Sequence, residues 1–526
     1  MHETRRRQIS RRSLLKATGA TAGAVTLSTG IAQATGRAQT AGGAQAAGSA
    51  RGSGYAHPGL LHTGADLDRM AAKVKAGAAP YAAGFAKLAA NRHAQSGWTA
   101  NPQATVYRGA GSPQNYAILY NDVHAAYQNA LRYHVDGDTA HADTAVAILN
   151  SWSGRLTSLE GSADRFLAAG LYGYQIANAA ELVRDRDDFE LDRFRTMLTT
   201  VFAPLSESFL ENHNNAVVTN YWTNWDLTAM ACVLATGIFC DDEARVGRVV
   251  EYFENGAGLG SVRNAIPVVG EDGLAEWLEA GRDQGHALLG VGLMGTVCEM
   301  AWNQGIDLYG YDDSRFLKGA QYVAKWSLGG DVTYTANTRE KGAVGGWSGT
   351  ETAADAAPVD PTMTRPVWAM IANHYTRRRG LSAPYLTRIA AKAAPEGGGG
   401  DYGPNSGGYD QLGFGTLAFT RDRAAGTGVG GGKASGAGSA SASPSVTGSA
   451  DPSAPAANTP PGSAPGGTAP TPAGGKSGDL ASTGSSDLAA WTAATGITAL
   501  AGGLLLLRRR GRGQEQRRTG GGAHSE

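Results

Sequence analysis

Four residues near the middle of the chain have types and a spacing suited to acid–base chemistry on an anion. They are Glu279, Arg282, Asp283 and His286, within the run EDGLAEWLEAGRDQGHALLGVGLMG. In a helix, residues three and four apart are neighbours, so Arg282 would contact His286 and Glu279 would contact Asp283. Apolar residues at helical spacing follow. We therefore predict one helix over Glu271–Gln304 that presents these four side chains together.

A second polar stretch, NHNNAVVTNYWTNWD, combines five asparagines with one His, one Tyr and two Trp over fifteen residues. It ends where an apolar helical pattern begins, so Asn224 or Thr223 is a candidate helix cap. The Asn224 amide could also hold a carboxylate. Trp222 and Trp225 are either core residues or, if exposed on the rim of a cleft, platforms on which sugar rings stack.

A third stretch, WNQGIDLYGYDD, is a glycine-broken loop that contains Gln304, Tyr309 and Tyr311. A loop tyrosine is either structural, with its hydroxyl bonded to backbone, or an acid–base group whose pKa nearby cations lower from about 10. A fourth stretch ends another helix with His374 and Tyr375. A lone His there is either a satisfied hydrogen-bonding residue or a substrate ligand.

Composition excludes several classes of function. The 526 residues contain 46 Lys+Arg and 46 Asp+Glu, so no overall charge favours nucleic acid, and local groups must bind any anion. Three cysteines, Cys232, Cys240 and Cys298, exclude a disulfide-rich scaffold and are predicted to be buried free thiols. No metal-ligand spacing such as H-E-x-x-H is present, and no metal or cofactor is predicted.

The N-terminal residues have the pattern of an export signal. The run SRRSLLK carries the twin-arginine pattern, an apolar run follows, and Ala32-Gln33-Ala34 is a cleavage candidate. We predict a signal peptide over 1–34 that is recognised by the twin-arginine translocase of a bacterium. Residues 35–54 are predicted to be disordered.

The C-terminal residues have the pattern of a second targeting signal. Residues 421–479 are rich in Gly, Ser, Ala and Pro and are predicted to form a flexible tether, because they cannot bury enough apolar surface to fold. Residues 480–526 combine the pentapeptide LASTG, an apolar segment and an Arg-rich tail. This order resembles a sortase sorting signal, which implies recognition through Leu480, cleavage between Thr483 and Gly484, and attachment to the peptidoglycan of a Gram-positive cell wall. The alternative is a membrane-spanning anchor, and both place the protein outside the cell.

Residues 55–420 are predicted to form one all-α domain. Apolar residues recur at three- and four-residue spacing in nine blocks: Asp66–Leu88, Tyr116–Val135, Ala140–Gly154, Ala163–Arg184, Asp188–Asn212, Asn224–Ile238, Asp242–Asn255, Glu271–Gln304 and Ser314–Leu328. Successive helix hairpins of this size favour an α/α toroid, an incomplete barrel whose loops build a cleft at one rim. A stacked helical repeat is the alternative, but the chain has no fixed period. Gly407–Thr420 is predicted to be a short extended tail.

Together these stretches resemble a known family. The segments HPGLLH at 57–62, NWDL at 224–227, EAGRDQGH at 279–286, the loop from Asn303 to Tyr311, and Asn373-His374-Tyr375 are similar to those of alginate lyase-like polysaccharide lyases with an α/α toroid fold. The similarity covers most of 57–390, and GRDQGH is its most specific part. Thr223 departs from the family pattern, which has a glycine just before the asparagine.

The resemblance implies β-elimination on a uronic acid polymer. Removing the C5 proton places a second negative charge beside the carboxylate, so the site must neutralise a dianion. Asn224, together with Arg282 or His286, suits that role. The resemblance implies Tyr309 or Tyr311 as the acid, and the same tyrosine or His286 as the base. The predicted substrate-binding residues are Trp222, Trp225, Glu279, Asp283, Gln284, Gln304, His374 and Tyr375.

Two other classes of function remain open at this point. A glycoside hydrolase on the same scaffold would need two carboxylates, which Asp272, Glu276, Glu279 or Asp283 could supply. However, the adjacent Arg282 would lower the pKa of a carboxylic acid, whereas a general acid needs a raised one. A non-catalytic glycan-binding protein of the cell wall would use Trp222, Trp225 and Trp302 for stacking, and would bind without His286.

Overall fold

The structure is a computed structural model that describes residues 54–109, 114–398, 402 and 409–423. The predicted signal peptide, the tether over 421–479 beyond residue 423, and the sorting residues Leu480, Thr483 and Gly484 lie outside the described residues. Within the described part, no helix is both long and apolar enough to cross a membrane. The apolar segment before the Arg-rich tail is not among these residues.

The described residues are mainly helical, with two small pairs of strands. In chain order the elements are α1 (Gly64–Lys75), α2 (Tyr81–Ala90), β1 (Thr105–Arg108), α3 (Tyr116–Asp136), α4 (Thr139–Ser153), β2 (Ser158–Gly161), α5 (Asp164–Glu181), α6 (Leu191–Met197), α7 (Ala203–Asn212), α8 (Thr223–Phe239), α9 (Glu243–Asn255), α10 (Val262–Ala265), α11 (Gln284–Asn303), α12 (Tyr311–Ser327), β3 (Asn337–Gly342), β4 (Ser348–Ala353), α13 (Trp368–Asn373), α14 (Pro384–Ala393) and α15 (Gly415–Ala418).

The helices form two concentric layers. In the inner layer, α3, α5, α8, α11 and α13 pack side by side in chain order, and α15 and α1 close the ring back to α3. The outer helices α4, α7, α9, α12 and α14 connect the inner ones and pack against them. The inner helices α8 and α11 are buried on nearly every side, whereas α9 buries one apolar stripe. The predicted all-α, α/α toroid architecture is confirmed.

Glycine permits the closest contact between two inner helices. A Cβ atom on Gly170 of α5 would lie 2.7 Å from the Thr228 Cβ of α8, and one on Gly173 would lie 2.5 Å from the Cys232 sulfur. Thr228 and Cys232 are both buried, so a side chain at either glycine would require the two helices to shift apart. The free cysteines Cys232 and Cys298 are buried as predicted, and Cys240 is partly exposed.

Several local predictions are wrong. Asp66–Leu88 is two helices rather than one, because the chain leaves the helical path after Lys75 and turns at Gly77, where φ is +63°. The described part of Gly407–Thr420 is not an extended tail, since it turns through Phe414 into α15. The sequence analysis also missed the parallel pair β1–β2 and the antiparallel hairpin β3–β4.

A buried carboxyl group makes folding stability dependent on pH. Glu396 is fully buried, and its Oε1 accepts hydrogen bonds from the N–H groups of Trp368 (2.9 Å) and Ala369 (3.0 Å). Burial raises the pKa of Glu396 to about 7, and these two hydrogen bonds oppose the shift only in part. Because the pKa is higher in the folded than in the unfolded state, the stabilisation is present at low pH and is lost as the pH rises through 7.

We therefore expect Glu396→Gln to reduce the loss of unfolding free energy between pH 5 and pH 8, by up to about 3 kcal/mol for a shift of this size. Urea denaturation of both proteins across this pH range measures the effect. Glu160→Gln, at an exposed glutamate, is the control and should leave the pH profile unchanged. Identical profiles for wild type and Glu396→Gln would contradict the assignment.

Candidate active site

The inner helices all begin at the same rim of the ring. Each outer helix reverses the chain direction, so successive inner helices run in the same direction. The strands agree with this, because β1, which precedes α3, pairs in parallel with β2, which precedes α5. The segments that lead into α8, α11 and α13 therefore meet at this rim. They contain 213–222, the EAGRDQGH motif and the β3–β4 hairpin. The rim thus gathers residues that are far apart in the chain.

The segment around the GRDQGH motif is not one helix, which corrects the prediction for Glu271–Gln304. Leu278–Gly281 forms a single 3-10 turn, and the backbone at Asp283 is extended, with φ −169° and ψ 162°. The Asp283 side chain accepts a hydrogen bond from the His286 N–H (2.8 Å) and so caps α11. The Asp283 side chain bonds to the backbone here, and this hydrogen bond starts a new helix at α11 instead of letting one helix continue through the motif.

The buried Glu279 carboxylate joins this segment to the start of α8. Its Oε1 accepts hydrogen bonds from Asn224 Nδ2 (2.5 Å) and Arg282 Nη1 (2.9 Å), and its Oε2 accepts one from the Thr223 hydroxyl. Glu279 is fully buried, and Asn224 is 1% exposed. Thr223, which departs from the family pattern, is therefore one of three donors to this carboxylate. Asn224 lies inside the first turn of α8 and is not its cap.

His286 is oriented from both sides of its ring. Its Nδ1 lies 2.7 Å from Asp283 Oδ2, and its Nε2 lies 3.0 Å from Arg282 Nη2. Since Arg282 can only donate, Nε2 accepts and Nδ1–H donates to the carboxylate. Burial disfavours the charged form of Asp283, but the hydrogen bonds from His286 and the charge of Arg282 outweigh this and lower its pKa to about 2. An imidazole with an orienting carboxylate is an arrangement that can act as a base.

We call this group the rim cluster. It consists of Thr223, Asn224, Glu279, Arg282, Asp283 and His286. Gly281 approaches the Tyr334 hydroxyl closely, since a Cβ atom there would lie 2.2 Å from that oxygen. A larger residue at this position would displace the turn that carries Glu279.

Of the three tryptophans considered for stacking, Trp222 and Trp225 are buried, and the partly buried Trp302 packs against His374. Trp222 is 5% exposed, and its ring lies 4.3 Å from the Arg339 guanidinium and 5.8 Å from that of Arg282. It therefore supports two arginines through cation–π contacts. Trp225 is 2% exposed and packs against Phe209 and Tyr221 in the core.

Several charged residues inside the ring were missed by the sequence analysis. Buried Arg365, just before α13, lies 3.5 Å from the Asp410 carboxylate, and buried Arg108, at the end of β1, donates to the Tyr172 hydroxyl (3.0 Å). Burial raises the pKa of Asp410 to about 6, although the charges of Arg365 and Arg108 oppose the shift. Arg365 interacts electrostatically with both Asp410 and Asp283, which links this pair to the rim cluster. None of these residues lies in a motif, and only the fold brings them together.

The predicted tyrosines lie away from the rim cluster. The fully buried Tyr309 stacks on His374 at 3.6 Å, and its hydroxyl donates to the backbone oxygen of Gly295 (3.2 Å). Gly295 is nine residues along α11 from His286, about 13 Å at 1.5 Å per residue. Tyr311, the first residue of α12, contacts Phe253. These positions give neither hydroxyl a contact with the base.

The other predicted binding residues also have structural contacts. Tyr375 is fully buried and donates to the Tyr309 carbonyl (3.0 Å), while burial and nearby arginines lower the pKa of His374 to about 2. Gln304 bonds to the backbone of Ala56 and Gly59. Gln284 exchanges two hydrogen bonds with the backbone of Asp360. The assignment of these residues to substrate binding stays a prediction that their positions do not support.

The acids considered for hydrolysis are similarly engaged. Glu276 is 6% exposed and accepts from the Thr335 N–H (2.7 Å), whereas Asp272 accepts from the Leu274 N–H (3.1 Å). The low pKa of Asp283 is the opposite of what a general acid needs. Within the described ranges, no group of three or more His, Cys, Asp or Glu side chains is placed to hold a metal ion.

We expect Glu279→Gln to destabilise the protein and the site together. An amide offers one acceptor oxygen in place of two, so at least one of Thr223, Asn224 and Arg282 loses its partner, at a cost of about 2–4 kcal/mol. Urea denaturation measures the loss, and Glu340→Gln on the exposed hairpin surface is the control. A change below about 0.5 kcal/mol would contradict the anchoring role.

The comparisons with known proteins point to one family. A family model described as Alginate lyase matches residues 78–333, which include the whole rim cluster. No curated protein matches. The chain is similar to a solved alginate lyase of Sphingomonas species A1 (16% identity, 61% of this chain and 88% of that one, TM-score 0.41). It is also similar to one from Bacteroides ovatus (15%, 50% and 82%, TM-score 0.37). These two likenesses are weak, and the identification depends on the family model. On that match, the chain is an enzyme of the polysaccharide lyase class.

Proposed function

We propose that this protein cleaves a uronic acid polymer by β-elimination and leaves a 4,5-unsaturated uronate at the new end. The observation that carries the proposal is the rim cluster, in which a carboxylate-oriented imidazole lies beside an arginine and an amide. The family match over residues 78–333 supports the same reaction class. Alginate and glucuronan are the substrates we consider first.

Asn224 and Arg282 neutralise the substrate carboxylate. Removal of the C5 proton turns the uronate into a dianion, and donors already in position stabilise that charge without reorganisation. The Glu279 carboxylate holds both groups, at 2.5 Å from the Asn224 nitrogen and 2.9 Å from Arg282 Nη1. Each retains N–H groups that can donate to a bound carboxylate.

His286 is the base. Its Nδ1–H is held by Asp283, so its Nε2 has the lone pair. Arg282 donates to that lone pair at 3.0 Å. A substrate carboxylate competes for the Arg282 donor, and its binding leaves Nε2 for the C5 proton. Asp283 then stabilises the imidazolium that forms.

The same imidazolium can complete the reaction. The electron pair of the C5–H bond forms the C4=C5 double bond as the C4–O4 bond breaks, and the imidazolium returns its proton to O4. One group can serve both steps only where H5 and O4 lie on the same face of the sugar ring. D-Mannuronate and D-glucuronate meet this condition, whereas L-guluronate and D-galacturonate do not. This proposal replaces a tyrosine acid with His286.

We also propose that the enzyme works outside the cell. The twin-arginine pattern at the N-terminus and the LASTG pentapeptide, apolar segment and Arg-rich tail at the C-terminus support export and attachment to the cell wall. The proposed partners are the twin-arginine translocase, sortase and peptidoglycan. A wall-attached lyase would act on polymer that has not entered the cell.

The elimination assay tests the reaction and its stereochemistry. We expect wild type to generate ultraviolet absorbance of the conjugated double bond from polymannuronate or glucuronan, and none from polyguluronate or polygalacturonate. His286→Ala should lower kcat by about 10²- to 10⁴-fold, the usual contribution of a general base. His57→Ala, at a histidine whose partners are Glu181 and Asp241, is the control. New reducing ends without the absorbance would indicate hydrolysis, and retention on polymer without either signal would indicate a binding protein.

The tyrosine assignments are tested separately. From their positions we expect Tyr311→Phe to keep wild-type kcat, and Tyr309→Phe to lose about 1 kcal/mol of stability at unchanged kcat, because a buried hydroxyl loses its partners. Thermal unfolding and the elimination assay give the two readouts. Loss of kcat by a hundredfold in either variant would restore that tyrosine as the acid.

A further inference from the structure

The β3–β4 hairpin has one side that faces the rim cluster. Arg339 in β3 lies opposite Glu351 in β4, so the two side chains share a face, and an ion pair joins them. The Arg339 guanidinium lies 4.3 Å from the Trp222 ring, which also contacts Arg282 of the rim cluster. The face of the hairpin that carries Arg339 is therefore continuous with the reaction centre.

The two-residue period of a strand places Lys341 and Gly349 on this face as well. Lys341 follows Arg339 in β3 and pairs with Gly349, and Trp347 lies in the connection directly before β4, two residues from Gly349. From Glu351 to Trp347 is four residues, or about 13 Å at 3.3 Å per residue. A Cβ atom on Gly349 would meet nothing within 4 Å, so the surface between the cation and the tryptophan is open.

The outer end of this face is apolar and exposed. Trp347 is 58% exposed and Val344 is 69% exposed, and Val218 on the adjoining loop is 36% exposed. The exposure of both Trp347 and Val344 in one short connection needs an explanation, because exposed apolar patches commonly mark binding surfaces. An indole ring presents a flat apolar face that suits the C–H face of a pyranose.

The tip of the hairpin is held in position rather than projecting freely. Backbone hydrogen bonds join Val217 N–H to the Gly342 carbonyl and Val344 N–H to the Asn215 carbonyl, each at 2.8 Å. The Asn220 side chain accepts from the Gly342 N–H at 2.9 Å. A surface fixed in this way loses little conformational entropy when a ligand binds.

We propose that Lys341, Gly349 and Trp347 form a distal glycan subsite, which holds the same uronate polymer a few sugar rings away from His286. In this subsite Trp347 stacks on a pyranose ring over the open surface at Gly349. The Lys341 ammonium, 3.6 Å from Glu351 Oε1 and 37% exposed, pairs with a carboxylate of the polymer. The subsite rests on the proposed function for the identity of its ligand. It gives the enzyme a preference for long chains over short ones.

The test compares chain lengths. Wild type, Trp347→Ala and Trp347→Phe are assayed on a long polymer and on its trisaccharide, and binding to the polymer is measured by affinity electrophoresis. We expect Trp347→Ala to raise KM and the dissociation constant for the polymer about tenfold, with kcat and trisaccharide kinetics unchanged. Trp347→Phe should retain most of the affinity. Leu381→Ala, at another exposed apolar residue, is the matched control, and thermal unfolding shows whether each variant folds.

Each outcome decides the proposal. Equal effects of Trp347→Ala on polymer and trisaccharide, or no effect on either, would overturn the subsite, as would failure of wild type to be retained by any uronate polymer. Wild type that forms no unsaturated product would overturn the proposed reaction. In that case, loss of retention in Trp347→Ala alone would still support the subsite.

Discussion

The buried Glu279 carboxylate is the constraint on which the site depends. A fully buried negative charge is tolerated only with hydrogen-bonded partners, and here Thr223, Asn224 and Arg282 supply them. Two of these donors begin α8, whereas Glu279 and Arg282 precede α11. The carboxylate therefore fixes the distance between two inner helices at the rim. It also aligns the Asn224 amide and the Arg282 guanidinium. Because the buried charge needs both donors, it determines the positions of the groups that would contact the substrate.

The ring architecture concentrates positive charge at one place, although the overall composition is neutral. Acidic and basic residues are equal in number, yet the rim and the interior of the ring bring together four arginines, Arg108, Arg282, Arg339 and Arg365. The inner helices also begin at this rim, and helix N-termini carry partial positive charge. The local field thus suits an anionic polymer, and the hairpin extends the same surface outward. Burial makes these charges more effective than they would be in water.

The stretches around Gln304, Tyr309 and His374 show how a motif can be structural. Polar side chains in a core need partners, and a tyrosine, a histidine and an amide meet that need by bonding to backbone and to one another. They join the N-terminal segment, α11, α12 and α13 away from the rim. The residue types are the same as those of a catalytic site. Only their burial and their partners distinguish the two cases.

By itself the sequence determined the helical class and the toroid, and it singled out Glu279, Arg282, Asp283 and His286 as a candidate site, because periodicity and short-range spacing are local properties of the chain. Tertiary structure decided the rest. It placed Asp283 at a helix start rather than inside a helix, since capping is a competition among backbone hydrogen bonds. It buried Trp222 and Tyr309, since exposure depends on neighbours distant in sequence. It also brought Arg339 and Arg365 to the site from segments without a motif, because contacts over such separations depend on how the helices close the ring.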